Sequence, residues 1–416
     1  MNHKKPRGAL PVPPAPEAAI QESAGSCPLA RKCGGCQLRN MDYPRQLRWK
    51  QAQAERLLGR FCRVSPILGM EEPSHYRNKA QAAFAPGRGG IVSGLYQSSS
   101  RRVLPMDSCP NQDPLADQII VTVRRLAKKL GLQPWDPATG RGFLRHVLVR
   151  RGFSTGQVMV ALVTARPAFP ARGELARALV EAHPQITTVV HNICDGPPMV
   201  LGERETVLYG PGYIEDKLCG CLFRISAQSF YQVNPLQTQV LYEEALRLAG
   251  LGGEETVIDA YCGIGTIGIL AAGRGAARVV GVEVNRDAVR DAIRCAKLNG
   301  LDNIRFCQGD AGRFMAELAE DGQTVDVVFM DPPRQGSDRA FLTSLAKMAP
   351  RRVVYISCNP VTQARDLEFL VRCGYRVTDI RPVDMFPHTN HIECVALLTL
   401  RDGGPKCEEE KKPWKK

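Results

Sequence analysis

Between Thr256 and Leu400 the chain alternates short β-branched runs with stretches of helical periodicity. Seven runs read as strands: Thr256–Asp259, Arg278–Glu283, Asn303–Cys307, Val325–Met330, Arg352–Ser357, Arg376–Pro382 and Glu393–Leu400. Helices fit between them, Asp287–Asn299 being one. A parallel pair of strands needs a long crossover, usually a helix, so the alternation predicts a doubly wound parallel sheet. The last two runs have no helical stretch between them and predict an antiparallel hairpin at the sheet edge. Such sheets bind ligands beyond the carboxyl ends of their strands. The residues that follow each run are therefore the informative ones.

The first run leads into Asp259-Ala260-Tyr261-Cys262-Gly263-Ile264-Gly265-Thr266-Ile267-Gly268. Its glycines permit a tight turn and close approach of a ligand to backbone and helix N-terminus. The second run ends in Glu283, 24 residues beyond Asp259, where a carboxylate can accept both hydroxyls of a ribose. The spacing Gly263-x-Gly265-x-x-Gly268 also fits a dinucleotide fingerprint, so a nicotinamide cofactor is a rival. Asp259-x-x-x-Gly263-x-Gly265, and Asp331-Pro332-Pro333-Arg334 after the fourth run, favour S-adenosylmethionine. Arg334 stands where enzymes acting on exocyclic amines place a stacking aromatic residue, which argues against an amine target. The fifth run ends in Ser357-Cys358-Asn359-Pro360. A thiol there can serve as a nucleophile; a buried packing cysteine is the alternative. Cys262, inside the glycine loop, reads as a wall residue.

The middle of the chain reads as an α+β domain. Strand-like alternation spans His146–Thr164, interrupted by Ser154-Thr155-Gly156, and recurs near Ile186–Ile193 and Thr206–Ile225. Helices are expected at Leu115–Leu130 and Arg172–His183, with Pro235–Leu248 bridging to the last domain. The expected divisions are a disordered tail at 1–22, a cysteine-rich segment at 23–73, the α+β domain at 74–225, the parallel-sheet domain at 226–402 and a charged tail at 403–416. No apolar run approaches the ~18 residues of a membrane span, and no signal peptide is apparent, so a cytoplasmic protein is expected.

Fifteen cysteines, odd in number and irregular in spacing, argue against a disulfide framework. Cys27-x5-Cys33-Gly34-Gly35-Cys36 is too dense for packing and suggests an inorganic centre. Cys109, in Ser108-Cys109-Pro110, is the first candidate for a fourth ligand and Cys62 the second. Thiolate ligands suit a 4Fe–4S cluster or zinc. The stretch from Cys27 to Pro110 carries 14 Lys/Arg against 5 Asp/Glu, within a net charge of +13 for the whole chain. A basic block beside a metal-type cluster suggests a nucleic-acid surface.

Six motifs together resemble those of the S-adenosylmethionine-dependent RNA 5-methyluridine methyltransferases. They are the Cys27–Cys36 cluster, Gln228-Ser229-Phe230-Tyr231-Gln232-Val233-Asn234, the Asp259–Gly265 loop, Asp331–Arg334, Ser357–Pro360, and Asp384-Met385-Phe386-Pro387-His388-Thr389-Asn390-His391-Ile392-Glu393. The likeness runs from about Cys27 to Leu400. It implies a Rossmann-like class I methyltransferase domain, a central RNA-binding domain and an N-terminal iron–sulfur segment. It also implies S-adenosylmethionine contacts at Gln232, Tyr261, Glu283 and Asp331, with Thr266 and Asp310 as further candidates. Cys27, Cys33, Cys36 and Cys109 match the ligands of a 4Fe–4S cluster, a pattern that favours the cluster over zinc.

Cys358 matches the family's nucleophile and Glu393 its general base. Uracil C5 is a poor nucleophile, and addition of a thiolate to C6 makes it reactive as an enolate. After methylation a base must remove the C5 proton, so that elimination frees the cysteine. His388 and His391 are expected to be packing groups. Arg77 and Lys79, in Tyr76-Arg77-Asn78-Lys79, match a basic segment and are expected to contact RNA phosphates. Phe230 fits either base stacking or core packing. Only 26 residues precede Cys27, which resembles the branch lacking an N-terminal β-barrel domain. That branch implies 23S ribosomal RNA or its assembly intermediate as partner, with no protein partner implied. The same chemistry on transfer RNA, a non-catalytic iron–sulfur RNA-binding protein and a nicotinamide oxidoreductase are the alternatives.

Overall fold

The computed structural model describes residues 27–404 apart from 99, 101, 138 and 197–199. The tail expected at 1–22 and residues 405–416 of the C-terminal tail lie outside the described residues. The chain forms two compact units: one joins 40–70 to the described residues from 239 onward, the other joins 27–39 to 71–238. Among the described residues there are two seven-stranded sheets and one two-stranded sheet.

Two helices come first, α1 (Ala30–Cys33) and α2 (Tyr43–Leu58). The unit built on 71–238 contains β1 (Lys79–Gly87), β2 (Gly90–Tyr96), β3 (Val103–Pro105), α3 (Pro114–Lys129), β4 (Leu144–Arg151), β5 (Val158–Thr164), α4 (Arg172–Ala182), β6 (Ile186–Ile193) and β7 (Arg204–Tyr209). Its sheet runs β3-β2-β1-β4-β5-β6-β7. Only β5 and β6 are parallel, joined through α4, and the other pairs are antiparallel. Helices α3 and α4 bury Ile119, Val123, Leu175 and Leu179 against Val147, Val149, Val160 and Leu162 of the sheet. The strand-like stretch Thr206–Ile225 divides into the end of β7, β8 (Ile214–Leu218) and β9 (Cys221–Ile225), because Gly210, Gly212 and Gly220 turn the chain with φ of 72°, 82° and 87°.

After α5 (Pro235–Ala249) comes the alternating part: β10 (Thr256–Ala260), α6 (Thr266–Gly273), β11 (Arg278–Glu283), α7 (Arg286–Leu298), β12 (Ile304–Gln308), α8 (Ala311–Glu320), β13 (Val327–Met330), α9 (Arg339–Met348), β14 (Arg352–Ser357), α10 (Pro360–Arg372), β15 (Tyr375–Val383) and β16 (Glu393–Leu400). The sheet order is β12-β11-β10-β13-β14-β16-β15. The first five strands are parallel; β16 inserts antiparallel between β14 and β15. This is the α/β class I methyltransferase fold with a mixed sheet. The expected edge hairpin is present, with β15 as the outer strand. Side-chain caps start the helices: Asn285 for α7, Asp310 for α8, Asp338 for α9 and Asn359 for α10 each accept a backbone N–H. Each cap stabilises its helix by ~1 kcal/mol.

Helix α2 belongs to this unit. Ala54, Leu57, Leu58 and Val64 join the core that contains Tyr355, Leu367, Leu370 and Ile380. The following segment pairs with β15 through Val64–Ile380 and Leu68–Val383 bridges.

Candidate active site

The sheet order reverses between β10 and β13, and β10 pairs there with β13 through Ala260 and Met330. The residues next in sequence are Tyr261 and Asp331. This is the switch point at which open α/β sheets bind their ligands. The glycine loop turns with φ of 62° at Tyr261, 56° at Gly263 and 79° at Gly265. A Cβ on Gly265 would lie 2.6 Å from the Phe306 ring, so only glycine fits. Glu283, at the end of β11, accepts N–H groups from Gly263 (3.0 Å) and Asn285 (2.8 Å). Asp259 accepts the Gly268 N–H at 2.7 Å and so pins the start of α6. Thr266 is the first residue of that helix, and Asp310 caps α8 through the Arg313 N–H.

Three carboxylates therefore share this end of the sheet. Burial pushes Asp259 up to about 7, and the negative charges of Asp331 and Glu283 add to the shift. Burial pushes Asp331 up to about 7 as well. A cationic ligand relieves that repulsion, whereas the pyrophosphate of a dinucleotide adds to it. The electrostatics thus oppose the nicotinamide alternative and suit a sulfonium with an amino group. Tyr261 packs on Phe341, ring centroids 4.9 Å apart, with its hydroxyl 3.4 Å from Ser337. Gln232 lies in the other compact unit, where its carbonyl accepts from Asn78 at 3.2 Å.

Cys358 follows β14 directly, beside the end of β13, and Ser357 pairs with Cys394 of β16. That register sets Glu393, the first residue of β16, alongside Cys358. Asn359 locks the turn: its side chain caps α10 through Val361 N–H (3.2 Å) and donates to the Arg334 carbonyl at 2.9 Å. Cys358, Asn359 and Pro360 share a cavity of about 220 Å³ with Arg334, Asn390, His391, Ile392 and, from α2, Gln53 and Leu57. That volume is below the ~300 Å³ of a drug-sized pocket and suits a single planar base.

The charges around Cys358 are coupled. Burial pushes the Cys358 thiol up to about 11, helped by Glu393 and Asp331, while Arg334 opposes the shift. Glu393 is buried, and burial with the Asp331 charge holds its carboxyl well above the usual range; Arg334 again opposes. Arg334 opposes both shifts and so favours the anionic form of each group. Below the thiol pKa the thiolate fraction, and with it the alkylation rate, rises about tenfold per pH unit. Replacing Arg334 by methionine is expected to slow iodoacetamide alkylation of Cys358 several-fold at pH 8, measured by mass spectrometry of the modified peptide.

Three parts of the cavity wall carry no clear signal in the sequence. In sequence Arg334 reads only as a departure from amine-specific enzymes and His391 as a packing group; in the structure the His391 ring nitrogens lie 3.4 Å from Arg334 in the cavity wall. The contribution of α2 had no signal in its helical pattern. Cys262 is buried in the glycine loop, its thiol pushed up by burial and by Asp259 and Glu283, as suits a wall residue. His388 is buried and bonded to Gln46 at 3.1 Å. Phe230 is 71 % exposed, which removes core packing as its role.

In the other unit, burial pushes the Cys36 thiol up to about 11; Cys109, Cys33 and Cys27 add to the shift and Arg39 opposes it. Gly34 turns the segment at φ 69°, and Asn111 donates to Cys36 Sγ at 3.2 Å. Among the described residues no three His, Cys, Asp or Glu side chains are arranged to hold a metal ion. Cys62 packs instead against the core of the parallel-sheet unit. Burial, with the positive charges of Arg150 and Arg77, lowers Lys79 to about 8.

The chain is similar to known proteins over most of its length. The sequence model of the tRNA (Uracil-5-)-methyltransferase family matches residues 213–401, the part that carries Cys358 and Glu393. An uncharacterized RNA methyltransferase of Halalkalibacterium halodurans is 45% identical over 93% of this chain and 85% of that protein. One from Oceanobacillus iheyensis is 44% identical over 89% and 82%. The crystal structure of Pyrococcus abyssi tRNA (uracil-54, C5)-methyltransferase in complex with S-adenosyl-L-homocysteine superposes with a TM-score of 0.75. It is 27% identical and covers 88% of this chain and 86% of its own. The chain belongs to the family of S-adenosylmethionine-dependent RNA (uracil-5-)-methyltransferases.

Proposed function

We propose that this enzyme methylates C5 of a uridine in 23S ribosomal RNA, in the cytoplasm, through transient addition of Cys358 to uracil C6. The observation that carries the chemistry is the set Asp331, Cys358 and Glu393 at the ends of neighbouring strands β13, β14 and β16, with Cys358 opening on a cavity about the size of one base. Tyr261, Glu283 and Asp331, with Thr266 and Asp310, are the residues of this unit that would hold S-adenosylmethionine. When bound, it supplies the methyl group and a positive charge that the clustered carboxylates favour.

The chain's own residues do the rest. The Cys358 thiolate forms a bond to C6, and the C5–C6 π pair moves to C5, which becomes the nucleophile. Glu393, as carboxylate, takes the proton from methylated C5. The electron pair of that C–H bond restores the C5–C6 double bond, and the carbon–sulfur bond breaks to return the thiolate. Arg334 favours the anionic form of both groups. The base must leave its stack to enter the cavity, which an unpaired loop permits at low cost.

The central α+β unit is the proposed RNA-binding part, with Arg77 and Lys79 on phosphates and exposed Phe230 free to stack on a base. Cys27, Cys33, Cys36 and Cys109 would hold a 4Fe–4S cluster. The match of these four cysteines to the family's ligand pattern supports that reading, as does the Asn111 side chain donating to Cys36 Sγ. One tetrahedral ion needs its thiolates ~2.3 Å from a single centre, closer together than a cluster does. The cluster moves no electrons in methyl transfer, and its proposed role is to shape the RNA surface. Cys33→Ser is expected to weaken RNA binding about tenfold or more while S-adenosylmethionine affinity stays within twofold, measured by equilibrium titration of each ligand. Unchanged RNA affinity would remove that role.

The cysteine quartet is what favours ribosomal RNA. Transfer RNA is the second reading, favoured by the similarity to a tRNA enzyme along most of the chain. Nucleoside mapping of RNA from a strain lacking the gene separates them. Loss of 5-methyluridine at a 23S position supports the first reading and loss from transfer RNA the second. An unchanged profile overturns both.

A further inference from the structure

One buried ion pair takes no part in that chemistry. Lys50 Nζ lies 2.6 Å from Asp384 Oδ1, both side chains fully enclosed. Lys50 also donates to the Phe386 carbonyl at 3.0 Å. Tyr43 donates its hydroxyl to Asp384 Oδ2 at 2.9 Å and accepts the Met70 N–H at 2.8 Å. Gln46 holds His388 twice, accepting its backbone N–H at 2.9 Å and meeting Nδ1 at 3.1 Å.

Tyr43, Gln46, Lys50, Gln53 and Leu57 recur at three- and four-residue spacing, so they form one stripe along α2. The first three grip the 384–388 loop, and the last two line the cavity of Cys358. The gripped loop runs on through Asn390, His391 and Ile392, which are cavity walls, into Glu393. Within it His388 has φ of 69°, a left-handed conformation that persists only where surrounding contacts over-determine it. A buried ion pair adds little net stability over an apolar pair of the same shape, and its best-attested use is to fix one register. At this site the register in question is that of the loop delivering Glu393.

We propose that Lys50 and Gln46 are positioning residues for proton removal: their face of α2 clamps the 384–392 loop so that Glu393 stays beside Cys358. The proposal rests on the reaction given above. It makes α2, although encoded more than 300 residues earlier, part of the machinery of the elimination step.

The test compares wild type, Gln46→Leu, and the paired Lys50→Met/Asp384→Leu variant, which leaves no orphaned charge. Glu393→Gln serves as the control. Each is given S-adenosylmethionine and unmodified substrate RNA, and kcat, cofactor affinity and the steady-state fraction of covalent RNA adduct are read. The expected result is a fall in kcat of about ten- to a hundredfold, cofactor affinity within twofold, and adduct accumulating toward the Glu393→Gln level. Gln46→Leu removes no charge and keeps the test valid if the paired variant does not fold. Folded variants that keep wild-type kcat and adduct fraction, however much their thermal stability drops, would overturn the clamp. A fall in kcat without extra adduct would do so too, because the defect would then lie in addition. Absence of adduct even from Glu393→Gln would overturn the reaction itself, and the clamp with it.

Discussion

Cys358→Ala is expected to lower methyl transfer by roughly four orders of magnitude or more and to abolish covalent trapping by 5-fluorouridine RNA. Fluorine at C5 cannot leave as a proton, so the wild-type enzyme stalls as a thioether at C6. Without the thiol no bond to C6 forms, and C5 keeps the low nucleophilicity of an ordinary uracil. Alanine fits the turn between β14 and α10 as a smaller side chain, and the Asn359 contacts that shape it are made by another residue. Cofactor binding should therefore persist, and equilibrium titration of S-adenosylmethionine checks that the variant is folded. Cys262 does not substitute. It lies in the glycine loop, where burial, with the charges of Asp259 and Glu283 adding to it, disfavours its thiolate. An adduct that survives in Cys358→Ala would show that another group is the nucleophile.

Glu393→Gln is expected to act later and to leave a different trace. Addition and methylation proceed, but nothing removes the C5 proton, so turnover falls about 10²- to 10⁴-fold while adduct with unmodified RNA accumulates. Denaturing gels or intact-mass measurement would show a thioether that already carries the methyl group. The amide is also compatible with the site's burial, which together with the Asp331 charge already disfavours the native carboxylate. The same shift fixes the sign of the pH dependence. Both the Glu393 carboxylate and the Cys358 thiolate become more populated as pH rises, so kcat rises from neutrality toward the alkaline side. With Arg334→Met the rise moves to higher pH, since Arg334 opposes both upward shifts.

The parallel-sheet unit was legible because its strands are buried on both faces and read as short β-branched runs separated by helices of ordinary length. Arg278–Glu283, Arg352–Ser357 and Glu393–Leu400 match the observed strands to the residue. The placement of Asp259, Glu283, Asp331 and Cys358 at strand ends was legible for a related reason: in such sheets the residues at the carboxyl ends of strands can be read directly from where each β-branched run stops. The unseen parts depend on contacts distant in sequence. Nothing in the periodicity of Tyr43–Leu58 says that its stripe meets Asp384 and His388. The electrostatic role of Arg334 emerges only when β16 brings Glu393 next to Cys358. Phe230 could not be assigned because an aromatic residue between a strand and a helix is compatible with either environment; its exposure comes from the tertiary fold.

The chemistry is tested most directly by substrate RNA carrying tritium at uridine C5. Methylation at that carbon must expel the hydrogen, so one tritium should appear in water for each methyl group incorporated. Release should require both S-adenosylmethionine and Cys358. Methyl incorporation with tritium retained in the RNA would place the methyl group on another atom and contradict uracil C5 methylation by this enzyme.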